Sequence, residues 1–218
     1  ATTHFLYCSY SFNVESLNLT RSRQLAAAIR SNIHGHIEKF DFWPAEDTFT
    51  TYEGMQLVWD SLLEVGVQDL GFGFNIVRDD NVVDPDFNLE SLRTNTKLQK
   101  LALHINSDAH TRIDWETFCD AIKMKQRLES LELYGFEFED QEVLQVMLVQ
   151  VIRMLRENNS LTQVQVSDYE DDINDINDDS QKKINNLLAI NRDWKKCQAL
   201  SAVRTVDANA NANANANA

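Results

Sequence analysis

A six-residue pattern, apolar-x-x-apolar-x-apolar, returns along this chain at nearly constant spacing, and that constrains its folding more than any other feature. Copies begin at Tyr7 (Tyr7, Tyr10, Phe12), Ile37 (Ile37, Phe40, Phe42), Val67 (Val67, Leu70, Phe72) and Leu98 (Leu98, Leu101, Leu103). Further copies begin at Leu128 (Leu128, Leu131, Leu133), Leu161 (Leu161, Val164, Val166) and, degraded, Trp194 (Trp194, Cys197, Ala199). The starts are separated by 30, 30, 31, 30, 33 and 33 residues. A fixed period of this length is the signature of a solenoid, in which one supersecondary unit stacks on the next.

Each unit reads as a helix, a short turn, a strand and a loop. The last two apolar positions of the pattern alternate, as in a short strand with one face buried. Upstream the period changes: Leu89 and Leu92, Cys119 and Ile122, Ile152 and Leu155 are each three apart, the spacing of neighbours on one helix face. Asn95 and Asn158 fall in the gap between helix and strand, where a left-handed residue is expected to stop the helix. Stacked units make a parallel sheet on one side and a row of helices on the other. A lone 30-residue unit cannot bury enough apolar surface to offset about 1–2 kcal/mol of backbone ordering per residue, so the repeats stand only together.

Leu98, Leu101, Leu103 and Asn106 meet the pattern LxxLxLxxN in full, and Val67, Leu70, Phe72 and Asn75 meet it with conservative changes. The chain thereby resembles the leucine-rich repeats. The period and the inter-strand helix are similar to the ribonuclease-inhibitor-like subclass, which includes the tropomodulin-type capping domains. The resemblance covers residues 5–200 as about seven repeats with degenerate ends. It departs where Glu15, Ala45, Phe136 and Tyr169 take the asparagine position. It implies an α/β leucine-rich-repeat solenoid with a curved parallel sheet on the concave side and helices on the convex side. Actin-end capping or nuclease inhibition are activities the resemblance alone would import. The competing doubly wound α/β fold requires near-continuous apolar strands and glycine-rich phosphate turns, and this sequence has neither.

The expected organisation is one repeat domain over residues 1–200 and a disordered low-complexity tail over 201–218, where Asn and Ala alternate. With 43% apolar residues the repeats can fill a core, and no run approaches the ~20 apolar residues of a membrane span. The apolar helix from Val143 to Leu155 is broken by Gln145, Gln150 and Arg153 and reads as buried on several sides. The chain starts at Ala1 with no charged-then-apolar leader, which reads as a processed chain or one cut from something longer. Of three cysteines, Cys119 and Cys197 fall at apolar repeat positions and read as small core residues, which favours a reducing, intracellular compartment. Sequons at Asn18 and Asn158 keep a secreted reading open. A formal charge of −14 opposes nucleic acid and anionic membrane surfaces and makes a basic protein surface the natural counterpart.

The search for chemistry returns little. His34 and His36 with Glu38 lack a third strong ligand fixed by sequence, so no metal is expected. The acidic run from Asp168 to Asp179 has Ile173 where a calcium loop needs glycine and no glutamate at its twelfth position. GxSxG, GxxxxGK[ST], HExxH and CxxC are all missing, so the expectation is a protein that is not an enzyme and holds no cofactor.

A partner would sit on the strand positions between the apolar ones. The third-position row is Ser9, Lys39, Asp69, Lys100, Ser130, Gln163, and the fifth is Ser11, Asp41, Gly71, Ala102, Glu132, Gln165. The seventh is Asn13, Trp43, Gly73, His104, Tyr134, Ser167. Trp43, His104 and Tyr134 thus share a row, with a hollow at Gly71, Gly73 and Ala102 and a rim of Asp41, Asp69 and Glu132. Lys39 and Lys100 complete the set, and such rings beside a recess compose an interaction hot spot. The expected role is a protein–protein interaction module using this concave face. The alternative is a scaffold subunit of a larger assembly or longer chain, docking through its ends or convex helices.

Overall fold

The computed structural model describes residues 8–9, 17–31, 37–42, 51–74, 88–105, 113–134, 141–167 and 180–198. Strands β1 (Cys8–Ser9), β2 (Lys39–Phe42), β3 (Asp69–Phe74), β4 (Lys100–Ile105), β5 (Ser130–Tyr134) and β6 (Gln163–Ser167) form a single sheet in chain order. Every pairing is parallel. Between them run helices α1 (Leu19–Ser31), α2 (Tyr52–Glu64), α3 (Glu90–Thr94), α4 (Trp115–Lys123) and α5 (Gln141–Glu157), and α6 (180–198) follows β6. The architecture is α/β with a parallel sheet and alternating helices, consistent with a stack of repeats. The residues from 199 onward, including the Asn-Ala stretch, lie outside those described, so the expected boundary at residue 200 does too.

The repeat pattern places the core. Phe40, Phe42, Leu70, Phe72, Leu101, Leu103, Leu131, Leu133, Val164 and Val166 are all buried on one sheet face. The helices cover that face and touch in chain order, α1 to α2, α2 to α3, α3 to α4 and α4 to α5. Trp59 of α2 sets its ring 5.3 Å from Phe72 and 5.5 Å from Phe74, which joins helix to strand. Helix starts follow side-chain chemistry: Thr51 accepts from the Gly54 amide, and Asp114 accepts from the amides of Glu116 and Thr117. After α2 the chain turns at Gly66 (φ 77°), with Gly66 N–H donating to Leu63 O and Val67 N–H to Leu62 O. That paired closure ends a helix on a residue whose left-handed backbone favours glycine.

Elsewhere the turn rests on a different device. The residue three before the strand motif reaches back one repeat. Asn95 Nδ2 donates to Val67 O (3.1 Å), and Asn158 Nδ2 donates to Ile122 O (3.1 Å) and Lys125 O (3.3 Å). Asn191 Nδ2 donates to Asn158 O and Leu161 O, both at 2.8 Å. Lys125 takes the same place in its repeat, its buried ammonium donating to Arg93 O and Asn95 O. Burial holds that ammonium below the usual lysine range. The asparagine oxygens meanwhile accept the turn's own amides, Lys97 and Leu98 at Asn95, Ser160 and Leu161 at Asn158. Asn95 therefore works through its side chain, and its backbone is extended (φ −69°, ψ 111°) rather than left-handed as expected. Asn75, Asn106 and the other positions of the expected ladder lie outside the described residues.

Three more expectations are corrected. The seventh motif is no strand: α6 runs through Trp194 and Cys197 to Gln198, and both residues are exposed. Their spacing of three suits a helix as well as the repeat, and Ile184, Leu188 and Asn191 continue a helical stripe into the core. In β1, Ser9 pairs with Asp41 instead of Lys39, a slip of two residues. The α5 helix is buried on one side only, with Met147, Leu148, Val151, Met154 and Leu155 inward and Val146 and Val149 exposed. At the Asn158 sequon, the nitrogen a glycan would need is buried and donates to the carbonyls of Ile122, Lys123 and Lys125.

Candidate interaction face

The face of the sheet away from the helices carries the rows read from sequence. Lys39, Asp69, Lys100, Ser130 and Gln163 lie opposite one another in register. Asp41, Gly71, Ala102, Glu132 and Gln165 make the next row, and Gly73, His104, Tyr134 and Ser167 the third. Parallel pairing with a side-chain period of two brings these positions together. Trp43, placed in that third row by sequence, lies outside the described residues.

The charges alternate and pair. Lys39 Nζ lies 3.1 Å from Asp41, and Lys100 Nζ lies 4.0 Å from Asp69. Burial raises the Asp69 carboxyl above its usual value, opposed by Lys39 and Lys100 and reinforced by Asp41 and Glu132. Exposed pairs of this kind contribute about 0–1 kcal/mol and act more on encounter than on folding. One row further, Glu132 accepts from both Ser130 Oγ (3.2 Å) and Tyr134 OH, so the tyrosine ring is held by its own strand. Partial burial raises the Tyr134 phenol to about 12, with Glu132 adding to the effect. Beside it, partial burial depresses the His104 imidazolium, which leaves that ring neutral at pH 7.

Gly71 and Gly73, at the expected hollow, are buried, and Ala102 is half-buried. Beside them stands a half-buried shelf of His104 and Tyr134 with a charged margin. The grip of Glu132 on Tyr134 was readable from their spacing of two on one strand, and the sequence reading assigned Glu132 only to the rim. Among the described residues, no three His, Cys, Asp or Glu side chains come together as a metal-binding group. His34, His36 and the acidic run after Ser167 lie outside them. Among the described residues, no helix is long and apolar enough to cross a membrane.

A second surface was missed by sequence. A cleft of about 480 Å³ opens beside the ends of α4 and α5, lined by Met124, Gln126, Asn159, Trp194 and Lys195 among others. Met124 (72% exposed) and Trp194 (50% exposed) give it an apolar mouth. The extension of α6 past Asn191 creates it, and reading Trp194 as a strand residue hid it.

A parallel sheet in strict chain order, one face under a row of helices and the other open, can be matched to solved structures. The solved structure of leiomodin-1 actin-binding site 2 (ABS2) has this fold. The two agree with a TM-score of 0.54 at 16% sequence identity, over 84% of this chain and 96% of that one. At this identity the likeness is one of fold. No protein-family model and no curated protein sequence matches the chain.

Proposed function

We propose that the chain is a leucine-rich-repeat solenoid of the ribonuclease-inhibitor-like kind, and that it binds a partner protein through the open face of its sheet without catalysing a reaction. The observation that carries this reading is the shelf of His104 and Tyr134. Two amphipathic rings stand in adjacent register on an exposed face, and Glu132 fixes one of them before any partner arrives. Rings held in place lose little freedom on binding, which is what anchors an interface. The margin of Lys39, Asp41, Asp69 and Lys100 supplies polar specificity around them. The −14 charge favours a partner with a basic surface, and the actin-binding site named for the fold's solved relative supports a protein as that partner.

The test is partner capture from native extract by the protein and by a His104→Ala, Tyr134→Ala double variant, with cross-linking mass spectrometry. The expected result is cross-links converging on Lys39 and Lys100 and a loss of affinity of at least about 30-fold, the measure of one hot spot. The melting temperature should move by no more than about 2 °C, as for surface substitutions. A second reading, a scaffold subunit docking by its end, is favoured by the exposed Met124 and Trp194 at the cleft. Cross-links confined to Lys182, Lys183 and Lys195, with the double variant binding normally, would replace the first reading by the second.

A further inference from the structure

The cleft beside α4 and α5 is the basic corner of an acidic chain. Its lining comes wholly from residues 123–129, 156–162 and 192–198, all of them described. Those segments carry seven Lys and Arg against three Asp and Glu, in a chain whose net charge is −14. The acids there are already engaged. Lys123 Nζ lies 2.9 Å from Asp120 and 3.4 Å from Glu157, Lys195 Nζ 2.8 Å from Glu129, and Lys196 Nζ 3.4 Å from Asp193. Four cations have no carboxylate in reach among the described residues. Lys125 and Arg192 donate to backbone carbonyls, and Arg127 and Arg156 stand exposed without an ion pair. The sequence after Gln198 adds one charged side chain of each sign, Arg204 and Asp207, and leaves that balance as it is.

Apolar exposure gathers in the same place. Met124 and Trp194 form the mouth, and Ile190, 64% exposed, lies one turn before Trp194 on the same face of α6. These are three of the five large apolar side chains that are exposed among the described residues, so charge and apolar surface coincide. A volume of about 480 Å³ is enough to enclose a small ligand or a few peptide side chains. Resting on the second reading above, docking at this cleft, we propose that its partner is a short acidic segment of a protein. An apolar side chain of that segment enters between Met124 and Trp194, and its carboxylates face the unpaired arginines. Charge opposes two rivals. A second copy brings −14 against −14. A nucleic acid extends beyond these few cations into the field of the acidic chain, which reaches about 8–10 Å at ordinary salt. A short segment stays within the basic corner.

The test uses a synthetic probe, acetyl-Glu-Asp-Leu-Phe-Glu-Asp-amide, and the NMR resonance of the Trp194 indole N–H, assigned by its loss in Trp194→Phe. The peptide should shift that resonance to saturation, and a version with glutamine and asparagine for the acids should bind at least about tenfold more weakly at low salt. An Arg127→Gln, Arg156→Gln variant should lose about tenfold in affinity for the acidic peptide at an unchanged melting temperature, as for exposed side chains. The His104→Ala, Tyr134→Ala variant should bind it like the parent, which separates this cleft from the open sheet face. The inference is overturned if the acidic peptide leaves the resonance unmoved, which includes the case of a cleft filled by the chain itself. It is overturned equally if the uncharged peptide binds as well, or if a short oligothymidylate binds there more tightly. Movement of the resonance with protein concentration alone, the mark of a second copy, overturns it too. The cross-links to Lys195 described above judge docking at the cleft separately, so the acidic partner can fail while that reading stands.

Discussion

Replacing Asn158 by alanine removes more from this protein than the size of the side chain suggests. Asn158 is 2% exposed and its amide serves two repeats at once. Its Oδ1 accepts from Ser160 N–H (2.9 Å) and Leu161 N–H (2.8 Å), and its Nδ2 donates to Ile122 O (3.1 Å) and Lys125 O (3.3 Å). Lys125 O keeps the Ser160 hydroxyl at 2.6 Å. Two groups are then left without their partner, the Ser160 and Leu161 amides, whereas Ile122 O keeps the Lys125 N–H at 2.9 Å. Each buried orphan costs roughly 1–3 kcal/mol, and water admitted to the cavity returns part of it, so the expected loss is about 2–4 kcal/mol. Against a whole-domain stability of about 5–15 kcal/mol, that is a large fraction. Urea unfolding by linear extrapolation measures it, with an unchanged m-value showing that the unfolding reaction is the same. The exposed neighbour Asn159→Ala serves as control and should stay within about 0.5 kcal/mol of the parent. A loss below about 1 kcal/mol in Asn158→Ala, equal to that control, would refute the claim that the inter-repeat amides carry the turn.

Two further outcomes are expected. Tyr134 should titrate in alkaline difference spectra near 12 rather than 10, and Glu132→Gln should bring it down by removing the charge beside the phenol. Because the folded value lies above the unfolded one, the stability linked to Tyr134 is complete below pH 10 and is lost as the pH rises toward 12. With iodoacetamide, exposed Cys197 should react in the native protein. Cys119, whose thiol burial pushes up to about 12, should react only after unfolding; its modification at the Cys197 rate in the native state would mean that α4 is not packed as described.

The strands were legible because a period near 30 residues with alternation inside it admits one register. Lys39, Asp69 and Lys100 fall opposite one another as the motif count requires. Where the apolar pattern weakened, the reading failed in ways physics explains. Trp194 and Cys197 fit a helix and the motif equally, and the helical stripe of Ile184, Leu188 and Asn191 decided the matter through its burial. Asn95 was found in the right place with the wrong mechanism, since backbone conformation and side-chain hydrogen bonding both favour asparagine there. Lys125 was invisible for a different reason. Nothing in a lysine suggests an asparagine's place, and only the folded chain shows its long arm reaching two carbonyls one repeat back. For the face itself, sequence gave neighbours but not solvent access, so the burial of Gly71 and Gly73 had to be seen.

The two edges of this sheet are held to different standards of variation. The helix-to-strand turns occupy residues 65–68, 95–99, 124–129 and 158–162, short and tied to the repeat before. The strand-to-helix connections span from residues 135–140 to residues 75–89 with the sheet register unaltered on either side. An inserted residue at the first edge would break the reach of an asparagine and slip a strand by one, turning its apolar side chains to solvent. At the second edge an added residue leaves the register of the flanking strands as it is, as the two different spacings already do. Novelty in such a chain therefore has one permissive margin, from which new segments can be displayed without the core being renegotiated.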